Sequence, residues 1–146
     1  MWFSRSKPQQ GPAFFAWNDR EHSVGVNVFD AEHRHLAALM TRAHDFMQGS
    51  PDHAKAAELM ENLIQETRTH FAHEERLLKS AGYPDAAAHA EEHAALLEEA
   101  NDMLRRFRGG GMSALVLPRY LRDWLIRHMK ESDRKYAAAL RRAGLV

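Results

Sequence analysis

The sequence contains no cysteine. Disulfides, thiolate metal sites, iron–sulfur clusters and covalently attached c-type haem are thereby excluded, and a reducing cytoplasm is the expected setting. An excess of charge is lacking too: 20 lysines and arginines face 20 aspartates and glutamates, which leaves no footprint for nucleic acid or an anionic membrane. No apolar run is long enough for membrane insertion. The opening MWFSRSKPQQGPAFF is broken by Arg5, Lys7, Pro8, Gly11 and Pro12 before it attains the length of a signal-peptide core. Repeats and low-complexity segments are absent, and nothing argues for a sheet. What is present is a chain of 146 residues, 45% apolar, long enough for one domain with a hydrophobic core. Histidine is the compositional outlier, with 10 copies.

Periodicity predicts an all-α fold. Phe29, His33, Leu36, Met40, Ala43 and Met47 mark one face of a first amphipathic helix that Gly49 ends. Ser50 and Pro51 supply an N-cap and a first helical position for a second helix, whose stripe is Met60, Leu63, Thr67, His70, Glu74 and Leu77. Gly82 and Pro84 punctuate. The third stripe runs Ala86, His89, His93, Leu96, Ala100, Met103 and Phe107 as far as Gly109-Gly110-Gly111. A fourth helix, starting near Pro118, shows Leu121, Trp124, Leu125, His128, Met129, Asp133 and Tyr136. Four such helices with short breaks imply an up-down-up-down four-helix bundle over residues 29–146, preceded by an N-terminal arm, residues 1–28. The arm's Trp2, Phe3, Phe14 and Phe15 are expected to pack on the bundle.

Polar residues interrupt all four stripes. A buried carboxylate without a partner costs several kcal/mol or is forced to take up a proton, so Glu74 and Asp133 call for compensation. Residues four apart on a helix lie on one face, which lets His70 with Glu74, and His89 with His93, aim at common points. His128 and Asp133, five apart, suit an extended site better than a single small ion. His22, His35, His44, His53 and His73 fall off the stripes or precede the bundle, and are expected to be solvated, His35 and His73 each within a turn of a proposed ligand.

Imidazole and carboxylate without thiolate suit iron, zinc, copper or manganese. Seven inward side chains, His33, His70, Glu74, His89, His93, His128 and Asp133, exceed what one tetrahedral zinc uses. The HExxH pattern fails because Leu77 follows His73-Glu74 where the second histidine belongs. Ferritin-like carboxylate sites need two Glu-x-x-His motifs, and only Glu32 to His35 matches. A b-type haem leaves the buried acids unexplained. A histidine-rich dinuclear centre uses all seven.

In order along the chain, Trp17 with Ser23-Val24-Gly25-Val26 and Phe29-Asp30-x-x-His33, then His70-Phe71-x-x-Glu74-Glu75, Gly82-Tyr83-Pro84 with His89-x-x-x-His93, and Trp124-Leu125-x-x-His128 with Asp133, resemble the hemerythrin family, in particular its single-domain bacterial members, the bacteriohemerythrins. The resemblance implies two irons: one held by His89, His93 and His128, the other by His33 and His70, with Glu74, Asp133 and an oxo or hydroxo group as bridges. It implies O₂ binding end-on at an open position of the second iron, where two electrons convert it to a hydroperoxide that hydrogen-bonds to the bridge, and release reverses the transfer. The expected function is oxygen storage, delivery or buffering, without enzymatic turnover, with O₂ and a protein recipient of O₂ as partners. Leu125, Trp124, Phe71 and Phe29 are expected to form an apolar O₂ pocket. The alternatives are a di-iron redox enzyme, peroxidase-like or nitric-oxide-reducing, and an O₂ sensor acting through a partner.

Overall fold

Stripes of apolar residues one turn apart favour helices that bury one face against each other, and the chain folds accordingly. The computed structural model describes residues 13–49 and 52–146. A short helix α1 (Asp19–His22) precedes four long ones, α2 (Asn27–Gln48), α3 (His53–Ser80), α4 (Ala86–Arg108) and α5 (Val116–Glu131). A 3-10 turn (Asp133–Lys135) and a terminal helix α6 (Ala137–Arg142) complete the chain, and the described residues contain no strand. Consecutive long helices pack together and α5 returns to α2, closing a four-helix bundle. Among the described residues no helix is long and apolar enough to cross a membrane.

Helix starts differ in detail from the expected ones. The proposed cap at Ser50 and Pro51 lies outside the described residues; Asp52 caps α3, its carboxylate accepting from the Lys55 backbone N–H at 3.3 Å. Helix α5 opens two residues before Pro118, which therefore sits in the first turn, where no intrahelical N–H bond is required of it. At the end of α3 the fully buried leucine is Leu78, with Leu77 half-buried beside it. Just beyond, Gly82 adopts φ 65° and the Tyr83 N–H reaches back to the Leu78 carbonyl at 3.0 Å, so the chain reverses into α4 through a left-handed conformation that strains other residues.

The entry to α2 is clamped from both sides. Asp30, buried, accepts from the Val24 N–H at 2.8 Å and the Ser23 hydroxyl at 2.6 Å. From the C-terminal segment, Arg141 donates to the Gly25 carbonyl at 2.9 Å and Arg134 to the Ser23 and Glu21 carbonyls. These contacts explain the Ser23–Val26 block and Asp30: they tie the start of α2, and so His33, to the turn that carries Asp133.

The end of the arm packs on the bundle as expected. Phe15 is buried, and its backbone N–H donates to the Thr41 hydroxyl at 3.0 Å. Phe14 stacks on His44 at 3.9 Å, with the Arg122 guanidinium 4.2 Å over the Phe14 ring. His44 is therefore buried, not solvated, because the arm supplies a cover that the helical pattern of α2 alone does not reveal. Trp2 and Phe3 lie outside the described residues. Replacing Phe15 by alanine is expected to lower the unfolding free energy by about 3 kcal/mol, the usual cost of emptying a buried phenylalanine site. Chemical denaturation checks this, and a change within about 0.5 kcal/mol would show the arm contributes no packing.

Candidate metal centre

All seven inward polar residues converge in the middle of the bundle: His33 from α2, His70 and Glu74 from α3, His89 and His93 from α4, His128 from α5, and Asp133 from the 3-10 turn. None is more than 4% exposed, so water does not solvate their charges. On an unbroken helix, positions five apart point about 140° away from each other. The break at Ser132 removes that divergence: His128 Nε2 and Asp133 Oδ1 stand 3.0 Å apart. The pair thus meets at one point, contrary to the wide separation that the spacing alone implies.

Each carboxylate divides its two oxygens between two sets of imidazoles. Glu74 turns Oε2 toward His33 and His70, with Nε2 distances of 3.8 and 3.3 Å, and Oε1 toward His89 and His93, at 2.6 and 3.3 Å. Asp133 turns Oδ2 toward His33 at 3.4 Å and Oδ1 toward His89 and His128, both at 3.0 Å. The His128 Nε2 atom lies 3.1 Å from that of His93 and 3.2 Å from that of His89. Ligand atoms of Glu74, His89, His93, His128 and Asp133 fall within 4.8 Å of one another, as do those of His33, His70 and Glu74. Both ring nitrogens of His33, Nε2 of His70 and both Asp133 oxygens are buried without a hydrogen-bond partner. Unpartnered buried lone pairs facing each other are what a metal ion satisfies, and the nitrogen–oxygen donor set fits iron.

A second layer of side chains holds the imidazoles in place. Glu32 takes His70 Nδ1 at 2.8 Å and His73 Nδ1 at 2.7 Å on its two oxygens. Glu92 takes His128 Nδ1 and the Ser132 hydroxyl, each at 2.8 Å. An Nδ1–H donated outward to a carboxylate leaves the Nε2 lone pair facing inward, the tautomer a metal requires. The Tyr136 hydroxyl donates to Glu74 Oε2 at 2.9 Å; burial, then the charges of Glu74 and Asp133, keep that phenol protonated well above its usual range. Phe71 stacks on His93 at 3.7 Å and Trp124 on His128 at 4.3 Å, while Phe29 meets His70 and His73 edge-on. Leu125 is buried one turn before His128.

The roles of Glu32, Glu92 and Tyr136 are absent from the sequence reading. Glu32 and Glu92 each directly precede an inward histidine, but the partner each one holds lies on another helix. Tyr136 reads as apolar core until its hydroxyl is placed. Of the five histidines expected to be solvated, His35 and His53 are exposed, His53 with its ring stacked on Phe107. His22 is half-buried, accepting from the Asn18 N–H at 3.0 Å, and His73 is half-buried against Glu32.

In the metal-free protein the cluster balances its own charge with protons. Burial opposes protonation of His70, yet the Glu32 and Glu74 carboxylates raise its pKa to about 9; burial likewise opposes His89, which Asp133 and Glu74 raise to about 10. Burial, reinforced by neighbouring His70, lowers His33 to about 4. Burial favours protonation of Glu74, but the neighbouring imidazoles of His70, His89 and His93 hold it well below its usual value. His70 and His89 lie above their unfolded value of about 6.5, so their stabilisation is complete below that pH and lost as pH rises through about 9 to 10. His33 and Glu74 lie below their unfolded values, so stability is lost on acidification below about pH 6.5. Metal-free protein is therefore expected to melt highest near neutrality and lower on both sides. Thermal melts in chelator check this, and a melting temperature that climbs steadily from neutral to alkaline pH would contradict it.

Comparison with known proteins places this arrangement. Residues 24–140 match the family described as Hemerythrin HHE cation binding domain. A bacteriohemerythrin of Pseudomonas aeruginosa is 33% identical over 129 residues, 88% of this chain and 83% of that protein. One from Methylococcus capsulatus is 27% identical over 88% of this chain and 98% of its own length. The crystal structure of a wild-type hemerythrin superposes with a TM-score of 0.81 at 27% identity, covering 88% of this chain and 98% of the other. The chain that brings five imidazoles and two carboxylates together in the middle of a four-helix bundle belongs to the hemerythrin family.

Proposed function

We propose that the protein binds O₂ reversibly at a pair of iron ions, bridged by Glu74 and Asp133, with His89, His93 and His128 on one ion and His33 and His70 on the other. The carrying observation is the division of each carboxylate's oxygens between the two histidine sets. A single ion between those sets would leave part of the cluster unused, whereas two ions engage every inward donor. Family membership supports the same reading. An iron pair so held supplies reversible two-electron exchange with O₂, and the unequal histidine count leaves the His33–His70 side one ligand short. The protein's own contribution is to fix the donors and keep water away. Tyr136 secures Glu74, and Glu32 and Glu92 orient the His70 and His128 rings. Phe29, Phe71, Trp124 and Leu125 make the surroundings apolar, which slows proton delivery and favours release of O₂ over its reduction. Such a site would serve storage, delivery or buffering of oxygen, and we propose the cytoplasm as its setting and a protein recipient of O₂ as its partner.

Iron analysis of the purified protein is expected to give two irons per chain. Glu74→Ala or Asp133→Ala should lose most of that iron, while His53→Ala, altering an exposed ring remote from the cluster, should lose none. Similar losses in all three variants, or one metal per chain in the wild type, would defeat the dinuclear reading.

Leu125→Asn should keep both irons, because Leu125 is not a ligand, but should shorten the lifetime of the oxygenated state and accelerate autoxidation by roughly tenfold or more. Absorption spectra through cycles of reduction, oxygenation and degassing measure both. Sustained turnover with peroxide or nitric oxide, and no oxygenated spectrum that reverts on degassing, would favour a redox enzyme instead.

A further inference from the structure

The centre is sealed, and iron must reach it. A cleft of about 550 Å³ opens between α2 and α3, and its walls include Glu32, His35, Glu66, His73 and the buried His70. Glu32 joins His70 to His73, whose side chain is 31% exposed, so donors run without interruption from solvent to a member of the buried set. Further out on the same cleft, His35 Nε2 lies 3.5 Å from Glu66 Oε2, both side chains more exposed. Glu32 and His35 are three apart on α2, and Glu66, His70 and His73 follow at four and three on α3, so each helix turns one face to the cleft. Both residues of the lone Glu-x-x-His motif, Glu32 and His35, thus line this cleft.

We propose that this cleft is the entry port for ferrous iron, a peripheral site where Fe²⁺ is captured at His35 and Glu66 and passed by way of His73 and Glu32 to His70. The inference rests on the dinuclear reading above. Imidazole and carboxylate are suitable donors for Fe²⁺, and their spread along the cleft makes a sequence of weak sites instead of a closed chelate. Arg68 and Arg76 also line the cleft and offset its two carboxylates, so capture there depends on ligation by imidazole and carboxylate and not on net charge. The other approach, a cleft of about 120 Å³ beside His89, is smaller, and its walls carry no imidazole besides His89 to relay a cation from solvent.

The test is the rate at which full-length, metal-stripped protein takes up Fe²⁺ without oxygen, stopped at intervals with a ferrous chelator and read as iron retained. His35→Ala/Glu66→Ala should reach the wild-type iron content roughly tenfold more slowly, on the order of the loss when supporting groups near a metal site are removed. His35→Gln, which preserves a polar side chain of similar size, should slow loading in the same sense. Asp85→Asn, beside the other cleft, should load at the wild-type rate. Unchanged rates in both cleft variants, or slowing by Asp85→Asn alone, would overturn the port. So would a lower final iron content reached at an unchanged initial rate, which would make His35 and Glu66 retention groups. Failure of the wild type to retain any iron would instead overturn the dinuclear reading, and the port with it.

Discussion

Two carboxylates without access to water, Glu74 and Asp133, impose the central constraint on this bundle. An anion in such surroundings must be neutralised at short range, and the fold brings five imidazoles to do it. Protonated His70 and His89 meet that demand in one state, and metal cations held by the same imidazoles would meet it in another. The two states compete for the same lone pairs, so metal binding and proton release are one equilibrium. Much of the remaining architecture serves this centre. The loop before α2 is clamped to the C-terminal turn, α5 breaks at Ser132, and Tyr136 is buried so that its hydroxyl reaches Glu74.

The imidazoles are held from behind as firmly as they are used in front. Outward carboxylates fix which nitrogen faces inward for His70 and His128, and flat aromatic faces restrain the His93 and His128 rings. All of these supports except Trp124, which shares α5 with His128, come from helices other than those bearing the imidazoles they steady, so the precision of the site depends on correct packing of the whole bundle. The arm adds to that packing by burying His44 beneath Phe14, far along α2 from His33.

Legibility in the sequence followed the range of the interaction. Helical stripes depend on spacing within one element, and they disclosed the four long helices and the seven inward polar residues. The pairing of His70 with Glu74 and of His89 with His93 was legible for the same reason, being set by one turn of helix. Asp133 was identified, but not how it meets His128, because the break at Ser132 answers to contacts with the entry loop and not to a local breaker. Glu32, Glu92 and Tyr136 were illegible as supports because their partners lie on other elements, some 35 to 60 residues away. His44 was misjudged on the same account: the residue that covers it belongs to the arm.

About 100 residues of chain separate His33 from Asp133, which nevertheless stand 3.4 Å apart. In polymer terms that contact closes one of the longest loops the chain can form, and its entropy must be met by contacts already in place. Neighbouring helices close much shorter loops. The complete donor set therefore exists only when the bundle has closed, so a metal that needs the whole set would meet a chain already folded and would contribute retention of the finished structure.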